Sequence, residues 1–146
     1  MAEGTIQSIE IAADAATIFA IAADVSDYPN WAQGVRTVDV IEEDDQGRPA
    51  KATFTIDGMM KPITYTLVYE YDEPESISWE AEPGSDIKEM KGSYQFKDID
   101  SGTEVVYALR VELGFTLPGF VRRQAERQIV GVALRGLKRQ AEAATE

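Results

Sequence analysis

Between residues 35 and 113 the apolar side chains of this sequence return at every second position, and over residues 119–144 they return at every third or fourth. Alternation by two sends successive side chains to opposite faces of a strand, whereas a 3.6-residue repeat draws one stripe down a helix. The order therefore asks for a sheet followed by one long helix. "VRTVDVIEEDDQGRPAKATFTIDG" reads as two strands around the acidic turn "EEDDQG", "KPITYTLVYEYDEP" as a third and "SISWEAEPG" as a fourth. "KEMKGSYQFKDIDSG" and "TEVVYALRVEL" make a closing hairpin, with "DIDSG" supplying the turn residues. Hairpin-length links between short strands specify an antiparallel meander.

Ahead of the meander, "TIQSIEIAA" reads as a first strand, and Asp14 is placed to cap the alanine-rich helix "AATIFAIAAD". "VSDYPNWAQGV" follows, with Pro29 ending or opening a short helix and Gly34 closing it. The last helix is expected to begin within a few residues of Pro118 and to run to about residue 143.

Strand parity assigns the faces. Tyr65, Leu67, Tyr69 and Tyr71 share one side of their strand, as do Ile77 with Trp79, and Met90, Gly92, Tyr94 and Phe96. Val105, Tyr107, Leu109, Val111 and Leu113 do the same, while the opposite faces carry Lys, Glu, Asp, Thr and Arg. A sheet with one such face needs one cover, and only the C-terminal helix is long enough. That helix has an apolar stripe of Val130, Ala133, Leu134, Leu137 and Ala141. Extended toward the N-terminus, the stripe meets Arg123, Glu126 and Arg127 instead of hydrophobes. A face of Tyr and Trp beneath a partly polar helix points to a cavity rather than a solid core.

Composition bounds the rest. With 146 residues, 44% of them apolar and 27% charged, the chain has the length and content of one globular domain, read as residues 1–146. The absence of cysteine removes disulfides, thiolate metal sites and cysteine nucleophiles. The absence of histidine removes the commonest general base and any Ser-His-Asp triad. "EEDDQG" lacks the residue pattern of a calcium loop, so no metal and no cofactor are expected. A net charge of −12 argues against nucleic acid or an anionic membrane as partner. The charge is uneven: residues 113–146 carry +3 and the first 112 carry −15, so a basic helix is expected beside an acidic body. No window approaches a membrane span, and "MAEGTIQSIE" has no basic and apolar signal regions, which together give the expectation of a cytoplasmic protein, as a monomer or weak dimer.

The order strand, helix, short helix, curved antiparallel sheet and long C-terminal helix resembles the helix-grip fold of the START-like (Bet v 1-like, SRPBCC) superfamily, and most closely its polyketide cyclase/dehydrase branch. "IEIAADAATIFAIAADVSDYPNWAQGV", the hairpin "GSYQF…GTEVVYAL" and "LPGFVRRQAERQIVGVALRGLKRQAE" carry the resemblance over essentially the whole chain. It implies an α+β domain with paired short helices under the long one. Proteins of this fold include carriers, sensors, hormone receptors and aromatase/cyclases, so fold alone does not choose among them. At the turn of the short helices, Tyr28, Pro29 and Trp31 read mainly as a brace against the sheet edge.

Phe54, Tyr65, Tyr69, Trp79, Tyr94, Tyr107, Phe120 and Arg123 are the expected lining of a pocket for a hydrophobic small molecule: a lipid, a quinone or an aromatic polyketide. Rings with polar tips can instead be core aromatics bonded to backbone, but five of them on one concave face are hard to satisfy in a dry core. Met59, Met60, Phe115 and Leu117, near chain reversals, are candidates for a pliable gate. Two functions follow: a carrier or sensor, or an aromatase/cyclase performing aldol cyclisation and dehydration. In the resembling cyclases a pocket Arg, Tyr hydroxyls and water do the chemistry. Here Arg123 would polarise the carbonyl, Tyr94 or Tyr107 relay the proton and Glu126 act as base. A module that grips another polypeptide is a third, weaker reading.

Overall fold

The computed structural model describes residues 4–58, 61–114 and 118–145. Its elements run β1 (Thr5–Ile11), α1 (Ala15–Ala23), a single 3-10 turn (Val25–Asp27), α2 (Tyr28–Trp31), β2 (Val35–Glu43), β3 (Pro49–Ile56), β4 (Ile63–Asp72), β5 (Ser76–Ala81), β6 (Ile87–Ile99), β7 (Gly102–Leu113) and α3 (Gly119–Ala144). The strands form one antiparallel sheet in the order β1-β7-β6-β5-β4-β3-β2. Every link from β2 to β7 joins neighbours, as the short turns require. The first strand returns to pair with the last, and the sheet curves around α3 in a helix grip.

The inward face follows strand parity. Register sets Tyr71, Ile77, Tyr94 and Tyr107 in one row across four strands, and Tyr69, Trp79, Gly92 and Leu109 in the next. Gly92 is required by its neighbour. A Cβ at that position would lie 2.5 Å from the indole Cζ2 and Nε1 of Trp79, so glycine lets the ring lie against the strand.

α1 and α3 cover different parts of this face. Asp14 caps α1, its carboxylate accepting from the Thr17 N–H at 2.8 Å. Phe19 of α1 meets Tyr71 and Phe96 edge-on, at 6.0 Å each, and fills one end of the sheet. α3 lies along β1. Gln7 donates to the Arg127 carbonyl, Lys138 donates to the Glu10 carbonyl, and the Ala12 N–H donates to Glu142. Val130, Leu134, Leu137 and Ala141 are buried beneath it. The exposed side carries Arg123, Arg127, Arg135 and Arg139, the basic surface expected of this segment.

One expectation for α3 is corrected. Glu126 does not form part of an ionic patch facing the cavity; it is 2% exposed and accepts from the Val111 N–H at 2.8 Å and the Thr5 hydroxyl at 3.3 Å. The β1–β7 pairing begins at Thr5 and Leu109, so Val111 lies past the end of the ladder. A buried N–H there needs an acceptor, and the carboxylate supplies it.

Candidate functional site

Because α3 is bolted to β1 and β7, the aromatic side of the sheet, β3 to β6, stands away from it. The space between is a cavity of about 340 Å³. Phe54, Tyr65, Leu67, Tyr69, Ile77, Trp79, Met90, Tyr94, Tyr107 and Leu109 form the sheet wall, and Gln128, Ile129, Val132 and Ala133 of α3 form the roof. Tyr28, Trp31 and the turn through Gln33 and Gly34 close one side. Asp57 is on the rim, exposed and ion-paired with Arg36.

The rings form a continuous network. Phe54 stacks on Tyr65 with centroids 5.5 Å apart, Trp79 packs against Tyr69, Tyr94 and Tyr107, and Tyr94 meets Tyr107 at 4.6 Å. Such offset and edge-on pairs stiffen the wall. The polar tips divide into two groups. The Tyr28 hydroxyl donates to the Ala22 carbonyl and that of Tyr71 to the Pro49 carbonyl. Among the described residues, those of Tyr65, Tyr69, Tyr94 and Tyr107 have no such partner, nor does the Trp79 indole N–H. Burial pushes Tyr69, Tyr94 and Tyr107 well above the ordinary tyrosine value, with neighbouring tyrosines adding to the effect, and burial alone raises Tyr65. All four are neutral donors at physiological pH.

Six of the eight residues expected at the pocket, Phe54, Tyr65, Tyr69, Trp79, Tyr94 and Tyr107, line the cavity. Phe120 and Arg123 do not. Phe120 is 66% exposed, and Arg123 projects from the solvent side of α3. Nine residues at about 100° each set Arg123 half a turn round the helix from Val132 of the roof. Met59, Met60, Phe115 and Leu117 lie outside the described residues.

Tyr28 and Trp31 combine two jobs. Trp31 sits against α3 where residue 136 is glycine; a Cβ there would lie 3.3 Å from the ring. Tyr28 packs edge-on to Trp31 at 5.1 Å and against Phe54 at 6.2 Å. The pair therefore ties α3 to β3, as a brace should, while its inner surface is cavity wall. The Trp31 indole N–H and the Arg122 Nε are buried without a partner. Sequence reasoning also missed Gln128, Ile129 and Val132 in the roof. Their signal was present: they lie beside Val130 and Ala133 on the stripe's cavity-facing flank.

A half-open aromatic cavity between a curved antiparallel sheet and a long C-terminal helix is the arrangement of a START-like helix-grip domain. Residues 5–142 match the family described as "polyketide cyclase / dehydrase and lipid transport", and the chain belongs to that family. No curated protein matches the sequence. Among solved structures, a START superfamily protein from Mycobacterium smegmatis is similar at 18% identity and a TM-score of 0.88, covering 97% of this chain and 98% of its own. The Zhui aromatase/cyclase from Streptomyces sp. R1128 is similar at 17% identity and 0.81, covering 100% and 97%. The STAR-related lipid transfer protein from Xanthomonas axonopodis is similar at 16% and 0.74, covering 94% and 85%. At these identities the likeness is one of fold. Among the described residues, no helix is long and apolar enough to cross a membrane, and no cluster of acidic side chains is arranged to hold a metal ion.

Proposed function

We propose that the protein binds one hydrophobic small molecule in this cavity, as a carrier or sensor. The observation that carries the reading is the wall: eight aromatic rings around about 340 Å³, within the usual range for ligand pockets of roughly 300–1,000 Å³. Polar groups fix orientation in such sites, and the free tyrosine hydroxyls are placed to do so.

The alternative, an aldol cyclisation, needs a base beside the substrate. Among the described lining residues the ionisable groups are tyrosines held neutral by burial and Asp57 at the rim. Glu126 is engaged by the β7 backbone, and Arg123 lies on the outer face. These placements favour binding over catalysis. A thermal-shift screen of fatty acids, quinones and polycyclic aromatics tests the proposal. A ligand at a hundred times its Kd adds about 2.7 kcal/mol of stability, a shift of several degrees. Hits lost in Tyr94→Ala are expected; uniform silence would sink the reading.

A further inference from the structure

Four arginines stand in one ridge along α3. Arg123, Arg127, Arg135 and Arg139 follow steps of four residues, broken only at Gly131, and all four are exposed. Like charges one turn apart weaken a helix, and a chain with 26 acidic residues has ample means to alternate the signs. It does not do so here. Glu126 turns inward to the Val111 N–H, and Glu142 pairs with Lys138. Among the described residues none of the four guanidiniums has an ion-pair partner.

The counter-charges lie elsewhere on the molecule. In an antiparallel meander alternate turns fall at the same end of the sheet, so the β2–β3, β4–β5 and β6–β7 turns lie together. Glu42 and Asp45, Asp72 and Glu75, and Asp98 and Asp100 come from these turns or from the strand ends beside them. All six are exposed, and none is in an ion pair among the described residues. Arg48, in the first of the turns, is already held by Asp44 and Glu73. The last turn of α3 reaches this end, where Glu142 accepts from the Ala12 N–H, but Arg123 and Arg127 are about 23–29 Å back along the axis. Within one molecule the ridge and the acidic turns therefore stay apart.

Independently of the cavity, we propose that the arginine ridge of α3 docks on the acidic turn end of a second copy of this chain, head to tail. Both surfaces are exposed, unpaired and opposite in charge, and the planar fork of a guanidinium fits a carboxylate through two parallel hydrogen bonds. The net charge of −12 opposes association only at long range, and at physiological salt screening cuts that repulsion off within about 8 Å. Because the two faces differ, each copy takes part in two contacts and the assembly grows beyond a pair.

Sedimentation velocity of the full chain tests the proposal. In about 0.1 M salt the mean sedimentation coefficient should rise with protein concentration, and in about 1 M salt it should fall to the monomer value. An Arg127→Glu, Arg135→Glu variant and an Asp45→Arg, Asp98→Arg variant should each stay monomeric in the lower salt. The second carries less net negative charge than the parent, so general repulsion would predict the opposite. All four positions are exposed and unpaired, and both variants should keep the parent's urea midpoint. Mixed in equal amounts, the two should associate again, since the second variant's ridge meets the first variant's turns. A parent that is monomeric in the lower salt overturns the proposal. So does association that survives the higher salt or either variant, or a mixture of the two that stays monomeric.

Discussion

If the space beneath α3 is a real cavity, filling it should stabilise the empty protein and remove the site together. Ala133 is the residue to change, because it lies in the roof, half-buried, and leucine continues the helix. Ala133→Leu adds three carbons; at about 0.8 kcal/mol per buried CH₂ the ceiling is about 2.4 kcal/mol. Restricting the leucine rotamers returns about 0.5–1 kcal/mol, and the difference in helix propensity is small. A gain of about 1–2 kcal/mol remains, which for a chain of this size raises the Tm by roughly 3–6 °C. Urea titration of the ligand-free protein reads the gain as a higher midpoint at unchanged slope. The same variant should give no thermal shift with any compound that shifts the parent. Opposite signs, stability up and binding down, separate this from general damage. Overpacking a filled core costs about 1–3 kcal/mol, so a lower midpoint would mean that the space is not there.

Glu126→Ala leaves the Val111 N–H without its acceptor and should cost about 1.5–3 kcal/mol in urea, as for hydrogen bonds to charged groups; an unchanged midpoint would refute the latch. Trp31→Ala removes the contact with Gly136 and should cost about 3 kcal/mol, at the lower end for a ring that is only partly buried. Full stability with lost binding would contradict its bracing role. All six tyrosines have their ionisation raised above the ordinary value of 10.0, burial being the largest cause in each. Since the folded values exceed the unfolded ones, this contribution is intact below pH 10 and falls as pH rises above it, by about 1.4 kcal/mol per pH unit for each group. Tyrosinate absorbance should therefore appear in one cooperative step together with unfolding. Gradual ionisation of the folded protein near pH 10 would show that the rings are not buried.

The sheet was legible because its pattern is one-sided: Tyr65, Leu67 and Tyr69 alternate with Thr64, Thr66 and Val68, and nothing but a half-covered strand explains that period. The cavity was legible in outline for the same reason, since Tyr65, Tyr69, Trp79, Tyr94 and Tyr107 of its wall follow from parity alone. The helix was harder. Its stripe extends to position 126, but a glutamate there looks like surface until the end of the β1–β7 ladder is known, and that is set by a strand more than a hundred residues away. Arg123 was placed by extending the apolar stripe toward the N-terminus, but nine residues at about 100° each set it half a turn round the helix from Val132 of the roof. Tyr28 and Trp31 were read as brace or ligand contact, whereas a thin wall lets one ring be both.

One small molecule that enters the cavity lies against Trp79 on the sheet wall. The protein has two tryptophans, both at the cavity, and Trp31→Phe leaves Trp79 as the single reporter. Titrating that variant with hydroxymethylanthraquinone should quench the Trp79 emission along a one-site saturation curve, because the ring is in direct contact with the bound molecule. Emission that stays constant after correction for absorbance, in a variant shown by denaturation to be folded, would contradict the account.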